Sequence, residues 1–385
     1  METWVWRALH DWRVWALVLT VQGPGARAII RYAPWPAATL FLIFLVSIAA
    51  YGVCLHGPFA RRIRAAGSHF NGVAAVLCLA AAVNLAAYPR VDALKQYGRG
   101  SDEDNALIDT AQRLVTLRRP LYVPTYLGNA PSVGPGWAAV VSPLAVTGTY
   151  ALLTPLALAA LVWIVRRSGG PGDHEAGTFL ALVLPLTSPG FWELSVTGSD
   201  LFAIGVLFVA LTRFAWARRT LSPGRSVAGA VLVCAAASAR ASFAWATLCL
   251  SLFMRQQRPA GGALVAGVTM ATMAVEAWFW LPHADATPLY LIAKLSGLLG
   301  VVGVVLAIVA AVSGAVWALA RLDDRIESWW LGMWAVLVLP LAAVSIGVLA
   351  ALHWEISNWQ AAGYVEVAVP ALVASVATSQ GRNPS

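Results

Sequence analysis

Apolar windows of about 17 to 25 residues recur from Trp35 to the C-terminus, each long enough to cross a hydrocarbon core of about 30 Å. In lipid a backbone must satisfy its own hydrogen bonds, which leaves helices or a closed barrel. Runs of Ala, Val and Leu without period-two alternation exclude the barrel. The expected fold is therefore an all-α polytopic membrane protein of about 11 to 12 crossings, read at 35–55, 71–88, 138–165, 176–189, 200–216, 225–239, 241–254, 260–281, 289–320, 329–351 and 360–378. Composition excludes a soluble domain: 11% of the 385 residues are charged, against roughly 25% in ordinary soluble proteins.

The formal charge of +8 implies no nucleic-acid partner here, because the arginines sit in short clusters between apolar windows. Arg166 and Arg167, then Arg213, Arg218, Arg219 and Arg225, then Arg255 and Arg258, then Arg321 and Arg325 follow alternate crossings. Positive charge marks cytoplasmic loops, so the polar stretch 89–137 is expected outside. Residues 1–34 are read as an interfacial or marginal crossing helix, since Arg7, Asp11 and Arg13 interrupt its Trp and aliphatic residues. The whole forms one membrane domain: first helices over 35–88, an outer loop over 89–137 and a bundle over 138–385. The four cysteines have no metal-binding or disulfide spacing, and no cleavable leader is expected.

A loop of this length between crossings is expected to be functional. Within it Leu107, Ala111, Leu114 and Val115 make an apolar stripe opposite Asp109, Gln112 and Arg113, predicting an amphipathic surface helix. Ser101 and Asp104 have capping-box spacing at its start. It ends at Arg118-Arg119-Pro120, and Leu121-Tyr122 leads through Tyr126 and Gly128-Asn129 to Gly134-Pro135-Gly136-Trp137.

This order, an acidic cluster after an early membrane helix, an amphipathic helix ending near Pro-Leu-Tyr, and a Gly-Asn turn into the next helix, resembles membrane glycosyltransferases of the GT-C superfamily. The similarity is greatest to the bacterial branch that uses polyprenyl-phosphate mannose. It covers mainly residues 100–145, with weaker echoes at Gly198-Ser199-Asp200-Leu201 and Ala239-Arg240-Ala241-Ser242-Phe243. The chain departs from the pattern in placing an extra crossing before the loop. The resemblance implies inverting transfer of a sugar from a polyprenyl-phosphate donor to a lipid or glycan acceptor hydroxyl, at the outer face of a bacterial inner membrane. Asp102 or Asp104 would then be the general base, and Arg240, Arg118, Arg119, Arg99 and Arg90 candidates for the donor phosphate.

Ionisable groups near a membrane boundary are functional candidates, which adds Glu193 with Trp192, Asp200 and Glu276, and the loop tyrosines Tyr122 and Tyr126, as substrate-binding residues. Structural roles compete: Asp200 as a helix N-cap, Trp192 in an interfacial belt, Glu276 paired with Arg240 or Lys294. No cofactor is expected. A divalent cation stays open only through His283 with Asp285, or His353 with Glu355, neither in a recognised metal spacing. A transporter or flippase, or a noncatalytic envelope scaffold, are the alternatives to an enzyme. The absence of a visible internal repeat weighs against the transporter.

Overall fold

A computed structural model describes residues 6, 9–56, 72–97, 101–168, 174–217, 223–281 and 289–379, and all regular structure among them is helical. From Asp11 the chain runs through α1 (Trp12–Leu17), a π turn (Val18–Gln22), a 3-10 turn (Gly23–Gly25) and α2 (Ala26–Tyr32). It then reverses into α3 (Pro36–His56). The two stretches pack antiparallel, with His56 Nε2 2.7 Å from Asp11 Oδ2 and Gln22 Nε2 donating to the Tyr51 hydroxyl at 2.6 Å. At about 1.5 Å per residue the first stretch is about 30 Å long, so it accompanies α3 for its whole length.

There follow α4 (Val73–Asp92), α5 (Glu103–Val115), α6 (Pro135–Val146), α7 (Leu153–Arg166), α8 (His174–Leu186), α9 (Pro189–Val196) and α10 (Leu201–Trp216). The chain continues through α11 (Pro223–Ala239), α12 (Ala244–Gln257), α13 (Pro259–Trp280), α14 (Tyr290–Leu319), α15 (Ile326–Ala351), a 3-10 segment Gln360–Ala368 and α16 (Val369–Ser379). Six of these are individually long and apolar enough to cross a membrane, and eight crossings result if each of two bent pairs counts once. Among the described residues the length test thus gives six to eight candidate crossings where 11 to 12 were expected. α10 and α11 are shorter apolar helices.

Two expected crossings are broken. The window 138–165 bends by 116° between α6 and the α7 stretch. The cause is local: Gly148 has φ +71°, and Thr149 N–H reaches the Leu144 carbonyl at 3.0 Å, closing α6 with a left-handed C-terminal cap. The window 176–189 likewise bends by 71° where Ser188 caps α9 by accepting from Phe191 N–H at 3.1 Å.

α16 is the centre of the bundle, 89% of its apolar window being buried, whereas only 11% of that of α14 is. The exposed faces of α3, α4 and α14 are apolar (Phe41, Leu42, Leu79, Val301, Val302), as contact with lipid requires. This is an integral membrane protein.

Arg213 and Arg258 mark one end of the bundle. Arg213 donates to Ser168 Oγ at 2.5 Å and to the Arg167 carbonyl at 2.9 Å, Arg258 to the Ala215 carbonyl at 2.9 Å, and Trp216 Nε1 to the Asp324 carbonyl at 2.9 Å. The start of α5, the start of α10 and the α11 to α12 junction lie together at the opposite end.

Candidate functional site

α5 forms because acids occupy its first turn, where helix-dipole charge favours them, and because Leu107, Thr110 and Ala111 bury one face. Glu103 lies one turn before Leu107 and Asp104 three residues before it, so both acids project from the apolar stripe into the protein. The capping box does not form. Asp102 occupies the N-cap position without a side-chain cap, and Asp104 turns inward.

Asp104 is fully buried. Its Oδ2 accepts from the Tyr88 hydroxyl at 2.6 Å and from Lys95 Nζ at 2.7 Å, and its Oδ1 from Asn105 N–H at 2.9 Å. Burial raises its pKa, opposed by Lys95 and Tyr88. Lys95 also pairs with Asp92. A carboxylate committed on both oxygens and shut from solvent ties α4 to α5.

Asp102 is half-buried. Its Oδ2 accepts from Asn129 Nδ2 at 2.8 Å and from the Thr125 hydroxyl, while its Oδ1 accepts nothing among the described residues. Thr125 N–H reaches the Asn129 carbonyl at 2.9 Å, so the Gly-Asn turn is closed on itself and tethered to Asp102. Tyr126 in this turn lies with its ring 5.9 Å from Lys95 Nζ.

The two weaker sequence echoes meet in space. Arg240 has an extended backbone where α11 gives way to α12, and its two terminal nitrogens donate to the Asp200 carboxylate at 3.1 and 2.9 Å. Trp137 Nε1 donates to the same carboxylate at 2.7 Å. Asp200 is the N-cap residue of α10 but makes no side-chain cap. The guanidinium expected to bind phosphate is thus engaged by an internal acid.

Glu103 completes this cluster. Ser199 lies beside it, and Arg240, Arg27 and Asp200 lie within electrostatic reach. Burial raises its pKa, with Asp200 adding to the rise. Its Oε2 is buried without a hydrogen-bond partner. Arg27 pairs with Glu193 at 3.2 Å and lies within electrostatic reach of Lys294, whose Nζ is 5.8 Å from the Tyr290 ring, and Tyr290 lies within electrostatic reach of Asp102 and Glu103. Six separate elements therefore bring Arg27, Asp102, Glu103, Glu193, Asp200, Arg240, Tyr290 and Lys294 to one end.

Glu276 stands apart. It pairs with neither Arg240 nor Lys294; it is buried against Ser238 and Gly134, with Tyr122 and Trp280 nearby. Burial, with Glu276 adding, pushes the Tyr122 hydroxyl well above its ordinary range. Trp192 gives its N–H to the Leu186 carbonyl at 2.9 Å, a structural role. Arg118 and Arg119 are exposed past the far end of α5, about 20 Å from Glu103 at helical rise, and Arg90 is exposed. The cap that ends α5 sends them away: Leu117 has φ +53° and Arg118 N–H bonds the Arg113 carbonyl at 2.9 Å. Arg99, His283 and Asp285 lie outside the described residues. Among the described residues no three metal-ligating side chains cluster.

Sequence reading did not single out Arg27, Tyr290 or Glu103, and named Lys294 only as a partner for Glu276. The signal for Glu103 was present, an acid in register with an apolar helical stripe. Arg27 carried none, because its role depends on a long-range contact with α9. No family model, no curated protein and no solved structure matches this chain.

Proposed function

We propose that the chain is a membrane glycosyltransferase that moves a sugar, with inversion, from a polyprenyl-phosphate donor to a hydroxyl of a lipid or glycan acceptor, at the outer face of a bacterial inner membrane. The observation that carries this reading is the meeting of Asp102 and Glu103 at the start of α5 with two cations within electrostatic reach of each other, Arg27 and Lys294. Arg27 already holds the Glu193 carboxylate, and a guanidinium that takes a carboxylate also matches phosphate geometry. In this reading the phosphate role passes from Arg240, buried against Asp200, to the more exposed Arg27, which would exchange its Glu193 contact for the phosphate, with Lys294 beside it, while Arg240 and Asp200 position Glu103.

Asp102 is the base, since its Oδ1 is unoccupied while the other oxygen is fixed by Thr125 and Asn129. The acceptor oxygen bonds to the anomeric carbon as its proton passes to Asp102. The bond from that carbon to the donor phosphate breaks, its electron pair leaving on the phosphate, which needs no acid. A positioned base contributes about 10² to 10⁴ in rate.

The test is incubation of the purified protein with radiolabelled polyprenyl-phosphate sugars and an envelope lipid extract. A glycosylated product that disappears in Asp102→Asn supports the reading. No product with any donor, from protein shown to be folded, overturns it. Movement of a labelled lipid or solute into proteoliposomes would then identify the transporter alternative.

A further inference from the structure

The N-terminal stretch that runs alongside α3 is interrupted at its middle, where helix gives way to the π turn Val18–Gln22 and the 3-10 turn Gly23–Gly25. The last crossing is interrupted too, its first nine residues, Gln360–Ala368, being 3-10 rather than α. These two irregular stretches pack on each other in the bundle interior. Interrupted helices inside a membrane leave backbone and side-chain oxygens unpaired, and such places are where small cations and protons are held.

Two side chains at this crossing carry bare oxygens. Glu366 is fully buried, and among the described residues neither of its carboxyl oxygens has a hydrogen-bond partner. Gln22 is also fully buried: its Nε2 donates to Tyr51 at 2.6 Å and leans on Thr187, and its Oε1 has no partner. Tyr51, on α3, lies within electrostatic reach of Glu366 and bonds the Thr187 hydroxyl at 3.0 Å. Among the described residues Glu366 makes neither a hydrogen bond nor an ion pair, so nothing described there compensates a negative charge. Of the charged groups on neighbouring elements, Glu193 on α9 and Arg27 on α2 pair with each other.

An ionised carboxylate without a partner in such a place is too costly to persist. We propose that Glu366 is a proton-binding site, built where the two interrupted stretches meet, and that these stretches pack in the described arrangement only while it carries the proton. Loss of the proton calls for water or a cation, and room for either requires the crossing to open. The 3-10 segment is already tight against its neighbours, since a side chain at Gly205 would overlap the Val367 carbonyl. Arg27 lies one turn beyond the break, so opening there moves the Arg27 to Glu193 pair.

The test is infrared spectroscopy of the full-length protein in detergent at neutral pH, wild type against Glu366→Gln. The expected result is loss of one free-acid carboxyl band per protein in the variant, with the band retained in sodium chloride and in choline chloride alike. Glu366→Asp, which keeps the acid, should move the band without removing it and stands in if the Gln variant does not fold. Identical free-acid spectra for wild type and variants overturn the proposal. So does a wild-type band that disappears on adding sodium, which would make the site a cation site. Neither outcome bears on the transferase reading, which is tested by product formation.

Discussion

Arg240 donates to both oxygens of Asp200 in a pair that is almost completely buried, joining the α11 to α12 junction to the start of α10. Trp137 adds a third donor, so the carboxylate is well satisfied. Removing one partner strands the other charge, at a cost of about 3 to 5 kcal/mol, whereas replacing both with apolar groups is far less damaging. Arg240→Met and Asp200→Leu should each be strongly destabilised in detergent thermal unfolding, and the double variant should lie above both singles. A double variant worse than either single would contradict the pairing.

Glu103 gives a pH dependence whose sign is fixed. Burial raises its pKa above the ordinary 4.5. The folded protein thus holds the proton more tightly than the unfolded chain, so this group's favourable contribution is complete below 4.5 and is lost as pH rises through the folded pKa. Each unit of that rise costs about 1.4 kcal/mol at neutral pH. Glu103→Gln should melt higher than wild type at pH 7, with the gap closing on acidification. A gap independent of pH would place Glu103 in a different environment.

Gly198 has φ +77°, and a side chain there would come 2.7 Å from the Tyr88 ring and 2.8 Å from Asp104 Cβ. Its carbonyl also accepts from the Tyr150 hydroxyl at 2.9 Å. Backbone strain alone is about 1 to 3 kcal/mol. Gly198→Ala should lower the melting temperature, while Gly128→Ala, also at positive φ but facing open space, should cost less. Equal losses at the two sites would show that strain, and not the approach of Asp104, sets the cost.

Asp102 and Asp104 differ in what their carboxylates touch, and their variants should separate accordingly. Asp104→Asn meets Lys95 and Tyr88 with a neutral amide and should lose stability, by about 1 to 3 kcal/mol. Asp102→Asn should keep stability and, under the proposed function, lose about 10² to 10⁴ in turnover. Turnover that survives in Asp102→Asn would move the base to another group.

Arg27 and Lys294 lie within electrostatic reach of each other at the same end. If a phosphate binds Arg27 with Lys294 beside it, Arg27→Ala should raise the donor KM and leave the acceptor KM unchanged. A change confined to the acceptor would take the donor phosphate elsewhere.

Much of this was legible in the residues alone. Apolar length declares membrane helices because the bilayer imposes one requirement on every crossing, and the arginine clusters fall between apolar windows because charge is excluded from lipid. The stripe Leu107, Ala111, Leu114 declares α5 because a helix repeats every 3.6 residues whatever surrounds it. The cap at Gly148 was local too, but an apolar window hides it, since hydropathy does not register a left-handed φ. What the chain could not declare is who meets whom. Asp200 and Arg240 are forty residues apart in sequence and Arg27 and Glu193 far further, and those pairings exist only because α2, α9, α10 and the α11 to α12 junction pack at one end. Nor could it tell Asp102 from Asp104: two residues apart on one turn, they differ by the direction each side chain takes from the helix, and only packing against α4 decides which acid is buried and which keeps an oxygen free.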